Sequence, residues 1–314
     1  MGRASLITIG ALLGYFLLLW IFNDNNSVFS VFGKLGPKLW IILLCLSLFN
    51  YLLRWSRWHR WLRNWGYAPS TILSLTIYIA GFAFTVTPAK AGEAARAIYL
   101  RSSNDIPVSQ TMSLLYFERL LDIASVAVLA LSGIGLWIGS AIFAITMALI
   151  GLVAFWVLTR SIVYSTLGRL FQNRTSHLAQ GVAEMLASTK SLLGTKNLAW
   201  GLSIGILAWL AEGIGLGILV QTLGGNVSWG SSVGVYAGGM LAGVASMLPG
   251  GLGGAEAFMI TGLTNAGITL QTATVATVGC RLATIWFAVL LGAFAVLSLS
   301  AYTANVLTKS KGRR

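Results

Sequence analysis

Met247-Leu248-Pro249-Gly250-Gly251-Leu252-Gly253-Gly254-Ala255-Glu256 interrupts an otherwise apolar region with one proline, four glycines and a closing carboxylate. An apolar segment precedes this break at 231–248, and a short helix is predicted after it at about 255–265. Proline costs no hydrogen-bond donor in the first turn of a helix, and the free amides there attract anions. The pattern therefore predicts a helix that stops, turns through small residues and restarts with an anion-attracting end.

A second break of the same kind lies in the first half of the chain, at Thr85-Val86-Thr87-Pro88-Ala89-Lys90-Ala91-Gly92-Glu93. Residues 70–87 before Pro88 are apolar, and a helix is predicted over 88–101. Broken helices at membrane depth occur where they line a cavity or pack inside protein, and they are common at transporter binding sites. We therefore predict two helix starts at one site. The alternative is that both breaks are simple kinks or loops.

The composition places the chain in a membrane. Of 314 residues, 56% are hydrophobic and 9% are charged, with a mean hydropathy of +0.80. Several apolar runs reach the roughly 20 residues that a membrane-spanning helix needs, which favours helices over a barrel of short strands. The net charge of +13 comes from basic residues between the apolar runs. This distribution indicates topology signals, and no nucleic-acid partner is expected.

The cysteine and histidine content predicts neither a disulfide nor a metal site. Cys45 and Cys280 lie in apolar runs, where reduced core cysteines are common. The two histidines, His59 and His177, lie in basic loops far apart in the sequence. No metal, cofactor or catalytic residue is therefore expected.

Hydropathy predicts an all-α integral membrane protein with six full spans and two broken segments. The spans are predicted at about 5–22, 38–54, 108–131, 134–158, 197–221 and 271–302, and the broken segments at 70–101 and 231–265. If both broken segments are re-entrant, both termini are cytoplasmic. Seventeen of the 21 lysines and arginines then lie on the cytoplasmic side or on the broken segment entered from it. The alternative is eight spans, with each broken segment passing through.

A basic and aromatic belt is predicted where the second span leaves the membrane on the cytoplasmic side. Five basic side chains are interleaved there with tryptophans: Arg54, Arg57, His59, Arg60 and Arg63. Such belts are typical of membrane interfaces.

The span order predicts one transmembrane domain over 1–314, built of two pseudo-repeats at about 1–132 and 133–308. Each repeat contains span, span, broken segment and span, so the odd number of crossings inverts the second repeat relative to the first. Matching residues recur at near-equal offsets: Pro88 and Pro249 are 161 positions apart, Glu93 and Glu256 163, and Arg119 and Arg281 162. Inverted repeats with paired broken helices are a transporter signature.

Ionisable residues lie within the predicted spans. Glu118, Arg119 and Asp122 share one apolar helix, and Glu212 and Arg281 lie in two others. Each such charge costs about 2.5–3.5 kcal/mol at mid-membrane, so these groups are expected to share a polar interior. Together with the residues of the breaks, the interior contains five acids and three bases: Glu93, Glu118, Asp122, Glu212 and Glu256 against Arg96, Arg119 and Arg281. Either Lys90 completes the set or one carboxyl group is protonated, which would allow a proton-coupled step. The alternative role is a salt-bridge network that only fixes helix packing.

Two arginines near two helix starts suit a phosphate, because guanidinium binds phosphate through two parallel hydrogen bonds. An amphipathic substrate with an anionic head and apolar tails fits a site that is reached from within the membrane. The predicted substrate-binding residues are Pro88, Glu93, Arg96, Glu118, Arg119, Asp122, Glu212, Pro249, Gly250, Gly251, Glu256 and Arg281.

At these residues the chain resembles the transmembrane region of lysylphosphatidylglycerol synthases, the flippase part of the multiple peptide resistance factor, and its stand-alone relatives. The likeness covers about 70–300 and rests on Pro88 through Gly92-Glu93, Arg96, Glu118-Arg119, Asp122, Pro249-Gly250-Gly251, Glu256 and Arg281. The resemblance implies an inner-membrane protein that moves lipids, in the best-known relatives aminoacylated phosphatidylglycerol, to the outer leaflet. Some relatives look linked to lipid-carried sugars. Because the sequence ends at 314 with a basic tail, lysyl transfer is not expected.

Three functions compete. The first is a translocase for an anionic phospholipid or a polyprenyl-phosphate lipid. The second is a membrane glycosyltransferase with a lipid-phosphate sugar donor, which needs carboxylates at an external face; the first external loop offers only Asp24. The third is a small-solute or ion-coupled carrier with the same inverted architecture. We expect a transporter and not an enzyme, with membrane lipids as partners, and the sequence leaves a homo-oligomer open.

Overall fold

The structure is a computed structural model, and it describes residues 35–87, 93–137, 140–159 and 177–311. Every regular element in these ranges is a helix, and no strand occurs in them. The predicted first span at 5–22 and Pro88 lie outside the described residues.

Five helices make up the first part of the described chain. They are α1 (Pro37–Asn64), α2 (Thr71–Ala80), α3 (Ala95–Asn104), α4 (Val108–Trp137) and α5 (Ala141–Leu158). A 3₁₀ turn, Gly81–Phe84, continues α2.

Six helices follow in the second part. They are α6 (His177–Leu192), α7 (Thr195–Thr222), α8 (Trp229–Ala245), α9 (Gly254–Asn265), α10 (Leu270–Arg281) and α11 (Phe287–Lys311). A π-helical turn, Leu282–Trp286, joins α10 to α11, so the pair forms one long, continuous helix.

Three of these helices are long and apolar enough to cross a membrane: Pro37–Asn64, Thr195–Thr222 and Leu270–Ser300. Helix α4 has 30 residues, or about 45 Å at 1.5 Å per residue, and it carries the three charges predicted from the sequence. The expectation of an all-helical membrane protein is confirmed. The count of six spans stays a prediction.

The second span differs from its prediction at its C-terminal end. Helix α1 continues ten residues beyond the expected end at 54, and it buries Arg54 and Arg57 inside the protein. Placing these two arginines in the interfacial belt was therefore wrong. A basic and aromatic pattern cannot by itself show whether a helix is leaving the membrane or continuing along a neighbouring helix.

Local sequence sets the starts of several helices. Ser70 caps α2 through the Leu73 amide at 3.3 Å, and Ser228 caps α8 through the Ser231 amide at 3.0 Å. Short polar side chains of this kind satisfy amides that lack a partner within the helix.

Both predicted breaks separate two helices. In the second half α8 ends at Ala245, and α9 begins at Gly254 with Glu256 in its first turn. Gly250, Gly251 and Gly253 have φ of 65°, 68° and 88°, which only glycine adopts without strain. In the first half the 3₁₀ turn after α2 ends at Phe84, and α3 begins two residues after Glu93.

The two halves pack against each other reciprocally. Helix α8 lies against α4, while α2 and its 3₁₀ turn lie against α11; α1 lies against α7. In the α8–α4 contact and in the α2–α11 contact, a glycine lets the two backbones approach closely. A Cβ at Gly133 would clash with Gly234, and a Cβ at Gly292 would clash with Ala83. The first arm of each broken segment thus contacts the last long helix of the other half. The division into two inverted repeats itself stays a prediction.

Candidate functional site

A cavity of about 320 Å³ lies where α1, α4, α7, α8 and the π-helical turn meet the second break. Its volume falls in the range of ligand pockets in proteins. Ionisable side chains from both halves of the chain line it: Arg54, Glu93, Arg119, Asp122, Glu212 and Arg281. Gly250 and Gly251 of the second break also line it. The cavity therefore brings together seven of the twelve predicted site residues.

In the first half, Glu93 is the centre of a buried ion-pair cluster. Its carboxylate pairs with Arg119, contacts the Arg96 guanidinium at 3.2 Å and accepts a hydrogen bond from the Thr85 hydroxyl at 3.2 Å. Arg119 is the most exposed member of the cluster, with 23% of its side chain exposed. It therefore has one side tied to Glu93 and another side open to the cavity.

Glu118 and Arg96 lie behind the cavity wall. Arg96 Nη1 donates to Glu118 Oε2 at 3.2 Å, and the Tyr78 hydroxyl donates to the other carboxylate oxygen. The Arg96 guanidinium lies 4.0 Å from the centre of the Tyr78 ring, a cation–π contact. These two predicted site residues do not line the cavity. Arg96 contacts Glu93, and Glu118 holds Arg96.

Asp122 is held by two arginines from α1. Its Oδ2 accepts from Arg54 Nη2 at 2.8 Å, and its Oδ1 accepts from Arg57 Nη2 at 2.7 Å. Arg119 lies 3.7 Å from the same carboxylate. The first-half cluster therefore contains four arginines and three carboxylates, a surplus of one positive charge.

In the second half, Glu256 links Arg281 to the glycine-rich break. Arg281 Nε donates to Glu256 Oε1 at 2.7 Å, and the Gly253 amide donates to Glu256 Oε2 at 2.6 Å. Arg281 Nη2 donates to the carbonyl of Gly250 at 3.0 Å. The arginine on α10 is thus fixed to both sides of the break. Pro249 begins the turn but does not line the cavity.

The two clusters repeat one pairing. Glu93 pairs with Arg119, 26 residues later, and Glu256 pairs with Arg281, 25 residues later. In each half a glutamate from the start of the second arm of a broken segment holds an arginine of the long helix that follows. The near-equal offsets of these four residues are visible in the sequence, and the structure adds that the residues pair within each half.

Among the described residues Glu212 has no ion-pair partner, unlike the other four acids. It lies on α7 and lines the cavity, and its side chain accepts one hydrogen bond, from the Ser47 hydroxyl at 3.3 Å. In the described part of the chain no lysine, arginine or histidine nitrogen lies within 4.0 Å of this carboxylate.

Sequence reasoning missed Arg54 and Arg57 as members of the charged interior. Adding them to the three predicted bases gives five bases against the five acids already counted. The surplus of two acids in the sequence indicated that further cations or a protonated carboxyl group had to be present. The i to i+3 spacing of Arg54 and Arg57, which places both on one helix face, was the second signal.

The mouth of the cavity is apolar. Its exposed lining residues have between 45% and 66% of their surface accessible: Ile123, Val244, Met247 and Leu248. The interior thus combines charged side chains with buried apolar ones such as Phe82 and Trp209, and exposed apolar side chains form the rim at the outer surface of the helices. Within the described residues no group of three or more His, Cys, Asp or Glu side chains is placed to hold a metal ion.

Comparison with known proteins gave one family and one distant relative. A family model described as the lysylphosphatidylglycerol synthase TM region matches residues 7–292, nearly the whole chain. Over 114 residues, 36% of this chain, the sequence is 31% identical to Glycosyltransferase AglD of Haloferax volcanii. The matched part covers 18% of that relative's length.

Proposed function

Because the chain belongs to the lysylphosphatidylglycerol synthase transmembrane-region family, we propose that it moves a phosphate-containing anionic lipid between the leaflets of the inner membrane. One observation carries the proposal: the cavity holds buried charged side chains from both halves of the chain and has an exposed apolar rim. A lipid has the same division between its head and its tails.

The headgroup would bind at the arginines that face the cavity. Arg119 and Arg281 come from opposite halves of the chain and line the same space. The first-half cluster carries one more arginine than carboxylates, so an entering anion finds a net positive charge. Charge-assisted hydrogen bonds from guanidinium to phosphate are about twice as strong as neutral ones. Glu93 and Glu256 would hold the two arginines in position.

The acyl chains would stay in the bilayer during transfer. The rim residues Met247 and Leu248 are exposed on the outer face of the helices, where lipid tails would contact them. A carrier for small polar solutes needs a closed, polar chamber instead. The apolar rim therefore favours a lipid over a small solute as cargo.

The reciprocal packing supports a two-repeat mechanism. We propose two inverted repeats, six full crossings, two re-entrant segments and cytoplasmic termini, as the sequence predicts. In such folds transport proceeds by rocking or gating of one repeat against the other around a fixed site. The paired Glu93–Arg119 and Glu256–Arg281 contacts would then be the parts of that site that each repeat supplies.

A lipid-linked sugar is the second candidate cargo. The local similarity to Glycosyltransferase AglD favours a polyprenyl-phosphate sugar, either carried across the membrane or used as a donor. Such a lipid also presents a phosphate beside an apolar chain, so the same arginines would hold it.

Transport of labelled lipids in reconstituted vesicles tests the proposal. The full chain would be compared with empty vesicles for transfer of fluorescent phosphatidylglycerol, phosphatidylcholine and a short polyprenyl-phosphate sugar. Arg119→Gln and Arg281→Gln should each slow transfer of the anionic lipid by about tenfold or more, since a hydrogen bond to a charged group contributes about 1.5–3 kcal/mol. Arg101→Gln, on the exposed end of α3, is the matched control and should keep the wild-type rate. Wild-type vesicles no faster than empty ones for every lipid would contradict the proposal.

A further inference from the structure

Glu212 is a buried carboxyl group that the proposed headgroup site does not use. It is 4% exposed, it lines the cavity, and it accepts a hydrogen bond from the Ser47 hydroxyl. The four other carboxyl groups of the membrane interior each contact at least one arginine. Glu212 makes no such contact in the described part of the chain.

A bare carboxylate at this position would be an uncompensated buried charge. Removing a charge from water without a partner costs several kcal/mol, and buried groups of this kind are commonly neutral. The neutral acid avoids that cost because it carries no charge.

Every helix packed against α7 contributes titratable or polar side chains that face Glu212. From α1 these are Ser47, Tyr51 and Arg54, from α8 Tyr236, and from α10 Cys280 and Arg281. From α4, Asp122 lines the same cavity with its two oxygens held by Arg54 and Arg57. Arg54 and Arg281 attract a negative charge on Glu212 from a distance, but their close contacts are to Asp122 and Glu256.

We propose that Glu212 is a proton-binding site of the cavity, and that it binds its proton together with the anionic headgroup held at Arg281. This inference rests on the proposed function and adds a coupled ion to it. An anion bound at Arg281 would cancel part of the positive field that favours ionised Glu212. The proton and the anion therefore stabilise each other, and together they add no net charge to the cavity.

The coupling has a defined sign. At low pH Glu212 carries its proton, and the headgroup binds next to a neutral acid. As the pH rises, the O–H bond breaks, the electron pair stays on the carboxylate and the proton leaves to solvent. The headgroup would then face a negative charge, and its affinity falls. Linkage requires the reverse effect as well, so that binding of the lipid takes up a proton. In a membrane, lipid and proton would move in the same direction.

Binding of fluorescent phosphatidylglycerol to the purified full chain in detergent, measured over a range of pH, tests the inference. The headgroup is a phosphodiester that stays ionised throughout. Wild-type affinity should weaken as the pH rises, by at most about tenfold per pH unit for one proton. Glu212→Gln keeps the shape of the neutral acid and should bind tightly at every pH. Glu212→Asp should restore a pH dependence. Calorimetry in two buffers of different ionisation heat should show proton uptake on binding in the wild type and none in Glu212→Gln.

The matched control is Glu184→Gln, an exposed glutamate on α6, which should behave as the wild type does. A wild-type affinity that does not change with pH would overturn the inference, as would a Glu212→Gln variant with the wild-type pH profile. In both cases binding of the lipid would leave the proposed function standing. If phosphatidylglycerol binds to the wild type at no pH, the proposed function fails together with the inference.

Discussion

Arg281 Nε donates a hydrogen bond to Glu256 Oε1 at 2.7 Å, while Glu256 Oε2 accepts a hydrogen bond from the amide of Gly253 at 2.6 Å. One carboxylate thus neutralises an arginine of the cavity wall and also caps the start of α9. An anion that arrives at Arg281 has to compete with Glu256. The strength of this single contact would therefore set both the affinity for the headgroup and the ease of its release.

Replacing Glu256 by Gln should tighten binding of anionic lipid. The amide oxygen of Gln still accepts from Gly253, so the helix cap is kept, while the charge that competes for Arg281 is lost. Affinity for phosphatidylglycerol should rise by about tenfold or more, since a hydrogen bond to a charged group contributes about 1.5–3 kcal/mol. Equilibrium binding in detergent measures the effect. Unchanged or weaker binding would mean that Glu256 does not compete with the lipid.

Asp122→Asn should destabilise the protein strongly. The change removes the close counter-ion that the buried guanidinium groups of Arg54 and Arg57 share, and it leaves them the Glu118 carboxylate at 3.8 and 3.9 Å. Removing one partner of a buried ion pair costs about 3–5 kcal/mol. Thermal unfolding in detergent gives the effect, and Asp105→Asn, at an exposed position with left-handed φ that Asn also tolerates, is the control. Equal unfolding temperatures for the two variants would show that Asp122 does not hold the cluster.

Gly251→Ala should damage the second break more than a glycine substitution elsewhere. Gly251 has a φ of 68°, and a Cβ there would lie 2.9 Å from the Cα of Gly243 on α8. Gly267 has a φ of 86°, but no atom lies within 4 Å of the Cβ position. Gly267→Ala should lower the free energy of unfolding by about 1–2 kcal/mol, because it adds only backbone strain. Gly251→Ala should lower it by about 1–3 kcal/mol more, because the new Cβ also clashes with Gly243. Similar losses of unfolding free energy would argue against the close packing of the break on α8.

A photo-crosslinker at the cavity rim should capture lipid. Met247 is 66% exposed on the rim, whereas Met259 on α9 is fully buried in the core. A diazirine side chain incorporated at 247 should form adducts with phospholipid in native membranes, and one at 259 should not. Mass spectrometry of the purified protein detects the adducts. If neither position forms adducts, the result would contradict an opening of the cavity sideways to the bilayer. That opening is the feature that distinguishes a lipid carrier from a solute carrier.

Much of the helical framework followed from the sequence, because apolar runs, prolines and glycines act locally. Hydropathy gave the long helices, and the glycine-rich stretch before Glu256 gave the end of α8 and the start of α9. The π-helical turn after Arg281 had no such signal. It lies inside a continuous apolar run, and the Tyr51 hydroxyl, from α1, donates to its Thr284 carbonyl at 2.6 Å. Such a contact exists only after the helices have packed.

The charged interior was predicted in part. The acids and arginines of α4 and α10 were recognisable as costly intramembrane charges, but their partners depend on which helices meet. Arg54 and Arg57 share a pattern with surface arginines at a membrane interface, and only the packing of α1 against α4 distinguishes them. Whether the residues that line the cavity bind a lipid stays a prediction.

A double-mutant cycle on Arg119 and Arg281 tests the central claim that two halves of the chain hold one headgroup. Binding of fluorescent phosphatidylglycerol would be measured for the wild type, Arg119→Gln, Arg281→Gln and the double variant. Two groups that contact one ligand are coupled, so the loss in the double variant should differ from the sum of the single losses by at least about 0.5 kcal/mol. Single losses that are absent, or that add to within about 0.3 kcal/mol, would contradict a shared headgroup site.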